Sequence, residues 1–141
     1  MIRPTDTLLL VEDSFDDYEA VARTLKKLQF RGSLQWVDNG DDAVRFVREA
    51  VAAGRPPTMV MLDLNMPGRD GRDVLRELKS DEATRAVPVV IYTTSDNPDD
   101  VTYCYQQFAN SYHVKPHGTD ELRSSLELML RYWFELVEKV R

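Results

Sequence analysis

The sequence predicts an α/β protein of the flavodoxin-like, doubly wound type, with a central parallel sheet of five strands in the order 2-1-3-4-5. Three observations lead there. Short apolar runs alternate with amphipathic segments five times over, which is the pattern of a parallel sheet with right-handed crossovers and helices on both faces. Two of the runs, TLLLV and MVML, are apolar at consecutive positions, as strands buried on both faces are. Four runs end in a polar residue, and open α/β sheets place their ligands and chemistry at the C-terminal ends of the strands.

The elements follow in order. Thr7 to Val11 (TLLLV) is the first strand and ends in Glu12 and Asp13. Ser14, Asp16 and Asp17 supply a cap and first-turn acids for a helix with apolar spacing at Tyr18, Val21, Leu25 and Leu28, closed by Gly32. Ser33 to Val37 is a brief second strand, followed by the turn Asp38-Asn39-Gly40. Asp41 to Ala53 reads as a helix, stopped by Gly54 and Pro56-Pro57. Met59 to Gly68 (MVMLDLNMPG) is the third strand, one carboxylate at its end, then a Pro-Gly turn. Val74, Leu75 and Leu78 carry a short helix ending around Ser80. Val87 to Tyr92 is the fourth strand, with Pro88 near its start, and it runs into Thr93, Thr94 and Ser95. A helix starts after Asn97-Pro98, and Ser111 to Val114 is a last strand ending at Lys115-Pro116. From about Gly118 to the C-terminus the sequence reads as one long helix. Residues 1–141 are read as a single domain, with no segment left over for an effector.

Bulk properties narrow the function. A net charge of −6, with no dense Lys/Arg cluster, argues against nucleic-acid binding. The single Cys104 rules out an intramolecular disulfide framework and suits a reducing cytosol. The N-terminal apolar run is too short for a signal segment or a membrane span, so a cytoplasmic protein is expected.

The strand ends carry the chemistry: Glu12 and Asp13 on strand 1, Asp63 on strand 3, Thr93 on strand 4 and Lys115 on strand 5. Taken singly, each has an ordinary reading as a turn acid, a strand-end hydroxyl or a surface lysine. In one parallel sheet they converge. Clustered carboxylates raise one another's pKa unless a cation compensates, and oxygen ligands of this kind suit Mg²⁺. A hydroxyl and a fixed positive charge beside them suit phosphate oxygens.

With LLLVEDS, MLDLNMPGRDG, VVIYTTS and YHVKP in this order and spacing, the sequence resembles the receiver domains of two-component response regulators over nearly its whole length. The resemblance implies phosphoryl transfer from a sensor histidine kinase onto Asp63, in a phosphoacceptor that assists its own transfer rather than in a conventional enzyme. It further implies Mg²⁺ held by Asp13, Asp63 and the backbone carbonyl of Asn65, with Glu12 acting through a metal-bound water. Lys115 and Thr93 would bind phosphoryl oxygens, Tyr112 would be an aromatic switch, and the Lys115–Pro116 bond would be cis. An aspartyl-phosphate hydrolase would need a DxD motif after strand 1, and a flavin carrier a phosphate-binding loop where the acids stand. Two alternatives stay open: a phosphorylation-independent binding module, and a phosphate sink in a relay.

Output is expected through protein contact. On a helical wheel Leu122, Leu126, Met129, Leu130, Trp133, Val137 and Val140 form a stripe fit to pack on the sheet. Leu128, Tyr132 and Leu136 widen the apolar arc on one side and Phe134 on the other, which predicts an interface and a homodimer through the last helix. With VEDSFDD at the start and YWFELV at the end, the chain looks like the regulators paired with bacterial phytochrome kinases.

Overall fold

The three central strands are buried apolar runs, whereas the two edge strands, SLQWV and SYHV, are half-exposed and mixed. The structure, a computed structural model, describes residues 2–140; residues 1 and 141, the ends of the expected single domain, lie outside the described residues. The elements are β1 (Thr7–Val11), α1 (Phe15–Lys27), β2 (Ser33–Val37), α2 (Gly40–Ala52), β3 (Met59–Leu62), α3 (Gly71–Ser80), β4 (Val89–Thr93), α4 (Pro98–Gln106), β5 (Ser111–Val114) and α5 (Thr119–Arg131), the last continued by a π-helical turn, Tyr132–Leu136. All strand pairs are parallel, in the order β2-β1-β3-β4-β5.

Strand side chains alternate between faces, and this splits the core in two. Leu9, Val11, Val60, Leu62, Val89 and Ile91 pack with Val44, Val47, Val74, Leu75, Leu78 and Cys104 from α2, α3 and α4. Leu8, Leu10, Met59, Met61, Val90 and Tyr92 face Val21 and Leu25 of α1 and Leu126, Met129 and Leu130 of α5. The helix starts follow from local chemistry. Ser14, Asn39, Asp70 and Asn97 each accept a backbone N–H of the first turn, and Pro98 occupies the first position of α4.

Four features depart from expectation. Helix α1 ends at Lys27, where Gln29 turns left-handed at φ 56, so Gly32 does not close it. Gly32 instead lies against Asp6, whose carbonyl oxygen a Cβ there would overlap. Strand β4 starts at Val89, after the proline, and takes in Thr93. The Lys115–Pro116 bond is trans, as are all peptide bonds among the described residues. The β4–β5 ladder carries Lys115 to its place, with its N–H on the Thr93 carbonyl at 2.6 Å.

The fourth departure is the C-terminal helix, which stops at Leu136. Val137 is extended (ψ 134), so Val140 leaves the predicted stripe and is exposed. The cause is the wider turn, closed by Val137 N–H on the Tyr132 carbonyl at 2.9 Å. A π-turn rotates less per residue than an α-turn, so two successive residues, Trp133 and Phe134, both face inward. Phe134, expected outside, is buried with its ring edge-on to Phe30 at 4.8 Å. Lys139 caps this end by donating to the carbonyls of Phe134 and Val137. Leu128, Tyr132 and Leu136 are exposed as predicted.

Candidate functional site

The register brings the polar strand ends to one edge. Val11 is level with Leu62, and the Asp63 N–H donates to the Val11 carbonyl at 3.0 Å, which sets Asp63 beside Glu12. Thr93 is level with Val114, so Lys115 follows directly across from it. Glu12, Asp63, Thr93 and Lys115 are buried, whereas Asp13 is exposed at the rim. Glu12, Asp13 and Asp63 each offer a carboxylate oxygen, and these lie within 4.8 Å of one another.

Lys115 sits among the acids. Its ammonium donates to Glu12 Oε2 at 2.6 Å, Asp17 Oδ2 at 2.8 Å and Asp63 Oδ2 at 3.3 Å. Burial opposes its charge, but Glu12 and Asp63 outweigh it and hold the Lys115 pKa above the ordinary value. One ammonium does not neutralise the cluster. Burial, with repulsion from Asp63 against attraction to Lys115, pushes Glu12 up to about 7. A pocket so short of positive charge, lined by carboxylate oxygens, has the donor set of a hard divalent cation. Mg²⁺ therefore fits these residues.

Asn65 is exposed two residues on, and its N–H donates to Asp63 Oδ1 at 3.3 Å. Tyr112 is half-buried, and its hydroxyl donates to the Ser95 carbonyl at 2.8 Å. The Thr93 hydroxyl accepts the Ser95 N–H at 3.4 Å. Two contributors escaped the sequence reading. Asp17 looked like a first-turn acid only; the signal was its position one helical turn past Glu12-Asp13, which turns it back over the strand end. Trp36 donates its indole N–H to the Glu12 carbonyl at 2.6 Å and stacks on Tyr18 at 4.3 Å, fixing the loop that carries the acids.

Fold and site together define a receiver. Residues 8–127 match the response regulator receiver domain, and the chain belongs to that family. It is 38% identical over 127 residues to the probable methanogenesis regulatory protein FilR2 of Methanothrix harundinacea, covering 89% of this chain and 82% of that one. To response regulator Rcp1 of Synechocystis it is 34% identical over 136 residues, covering 95% and 92%. The Mn²⁺-bound structure of Rcp1 superimposes with a TM-score of 0.90, covering 96% of this chain and 99% of that one. So does that of RcpA, a phosphorylated cyanobacterial phytochrome response regulator, at 29% identity and the same coverage. Among the described residues no helix is long and apolar enough to cross a membrane.

Proposed function

We propose that this chain takes a phosphoryl group from the phosphohistidine of a sensor histidine kinase onto Asp63. The observation that carries the reading is the cluster itself: Asp63 shares one buried ammonium with Glu12 and Asp17, at the edge of an acidic group suited to a divalent cation. Asp13, Asp63 and the Asn65 carbonyl would hold Mg²⁺, and Glu12 would act on it indirectly. When bound, the ion offsets charge on the transferring phosphoryl oxygens.

An Asp63 carboxylate oxygen attacks phosphorus as the P–N bond to the donor imidazole breaks. The nitrogen leaves with the bonding pair and is protonated. Lys115 takes one phosphoryl oxygen and Thr93 another, so in-line placement and charge balance do the work without a general base. Water later attacks phosphorus, the Asp63 oxygen departs with its electron pair, and inorganic phosphate is released. The added charge pulls on Thr93 and, through Ser95, on Tyr112.

The kinase partner is of the phytochrome type, a reading supported by the likeness to RcpA. Output passes by protein contact in the cytoplasm, and the exposed Leu128, Tyr132 and Leu136 support a homodimer through α5 and the π-turn.

Intact-mass measurement after incubation with acetyl phosphate and Mg²⁺ tests the central step. We expect one phosphoryl group on the parent and none on Asp63→Asn. No gain in the parent would favour a phosphorylation-independent module. Light scattering at tens of micromolar tests the dimer, and a monomer with and without a phosphoryl mimic would exclude it.

A further inference from the structure

Arg72 forms a tie between the starts of α3 and α4 that neither the acidic cluster nor the Thr93–Tyr112 couple requires. It is the second residue of α3, and its guanidinium grips Asp100 with two parallel bonds, Nε to Oδ1 at 2.8 Å and Nη2 to Oδ2 at 2.8 Å. Nη1 reaches back to Asp70, the α3 cap, at 3.0 and 3.2 Å. Asp100 stands in the first turn of α4, and its Oδ2 also accepts the Ser95 hydroxyl at 2.6 Å. Ser95 in turn meets Thr93 through its N–H and Tyr112 through its carbonyl.

The other end of the tie reaches the phosphoacceptor. The Gly71 N–H donates to the Leu64 carbonyl at 3.0 Å, and a Cβ on Gly71 would overlap the Asp63 carbonyl oxygen. The start of α3 therefore rests on the backbone of Asp63 itself. Hydrogen bonds then run from Leu64, the residue after the phosphoacceptor, through the start of α3, Arg72, Asp100 and Ser95 to Thr93 and Tyr112.

The pair also differs from ordinary surface ion pairs, which contribute little. It is bidentate, and its side chains are 25% and 18% exposed. Helix α4 has little else to hold its front end: Cys104, in its second half, is its one buried residue, whereas α3 buries four. The bond from Arg72, then that from Ser95, holds the Asp100 carboxyl below its usual range.

We propose that Arg72 and Asp100 are positioning residues, a strap that locks the β4–α4 loop to the phosphoacceptor's own segment. It sets the placement of the Thr93 hydroxyl and of the Tyr112 acceptor before any phosphate arrives. The effect on turnover rests on Asp63 being the acceptor; the hold on the loop does not.

The test uses Arg72→Lys, which keeps the charge but loses the fork, Asp100→Asn, which keeps the shape but loses the charge, and the double variant. Amide exchange of Ser95 to Asn97 should quicken by about tenfold in each single variant without any ligand. Phosphoryl uptake from acetyl phosphate should slow roughly three- to tenfold in each, with the double variant within about twofold of the singles because they break one link. Mg²⁺ affinity by calorimetric titration should stay at the parent value, since no metal ligand is touched. A merely structural pair would lower the melting temperature and leave uptake below that temperature unchanged. Parent-like exchange in the loop, multiplying effects in the double variant, or faster exchange with unchanged uptake would each overturn the strap. Failure of the parent to take up phosphate would instead sink the function above, and loop exchange would still decide whether the strap exists.

Discussion

Asp6 and Asp63 stand at opposite ends of the same sheet, both nearly inaccessible, at 1% and 7% exposure. Asp6 precedes β1 and takes the Arg3 N–H at 2.9 Å and the Thr58 hydroxyl at 3.4 Å, while its carbonyl receives the Ser33 N–H at 2.8 Å. It ties the start of β1 to its neighbours. Asp63 follows β3 and competes with Glu12 and Asp17 for one ammonium. The first carboxylate is spent on local structure; the second is held in a pocket with surplus negative charge. Burial alone thus says little about function, and the partners of the buried group say most of it.

That contrast can be broken in several ways. The largest effect is on phosphoryl uptake: Asp63→Asn should lower it by more than about a hundredfold, as loss of a nucleophile does. Asp6→Asn should leave uptake near the parent rate but cost about 1–3 kcal/mol in urea unfolding, the usual penalty for disturbing a buried hydrogen-bonded acceptor. In metal-free buffer Asp63→Asn should move stability the other way, upward, because it relieves the acidic cluster.

Metal separates the two ends next. Mg²⁺ at a hundred times its dissociation constant should stabilise the parent by about 2.7 kcal/mol and Asp6→Asn equally. Asp63→Asn should gain much less, read as melting temperature against Mg²⁺ concentration.

Close packing offers a matched pair. Gly32→Ala presses on the Asp6 carbonyl and Gly71→Ala on that of Asp63. Each should destabilise by about 1–3 kcal/mol, the range for overpacking, and only Gly71→Ala should also slow uptake.

Per unit of pH the change is smaller still. Glu12 is raised from 4.5 to about 7, so between those values the folded chain holds a proton that the unfolded chain has released. Stability without metal should therefore fall as pH rises through this window, by at most about 1.4 kcal/mol per unit. Glu12→Gln should flatten that slope in urea titrations at successive pH values.

The parallel sheet was legible because its three central strands are nearly continuous apolar runs, and the site because Glu12, Asp13, Asp63 and Thr93 directly follow or end those runs and Lys115 follows the last strand. What was not legible depends on geometry that local pattern does not encode. Phe134 turned inward because one π-turn changed the helical period behind a wheel drawn at a constant angle. Arg72 and Asp100 meet across 28 positions, on different helices, with nothing nearby in sequence to pair them. Asp17 already had a sufficient role as a first-turn acid, which hid its reach to Lys115. The Lys115–Pro116 bond is trans, and the lysine is placed by the β-ladder at its backbone and by three carboxylates at its ammonium.

On the proposed function, the carboxylate that shares Lys115 with two others is the one that reacts. Borohydride reduction after treatment with acetyl phosphate and Mg²⁺ converts an acyl phosphate to an alcohol at the acceptor residue, which peptide mapping then locates. We predict the label on Asp63 and none on Asp6. Label on another carboxylate in the presence of an intact Asp63 would contradict the account.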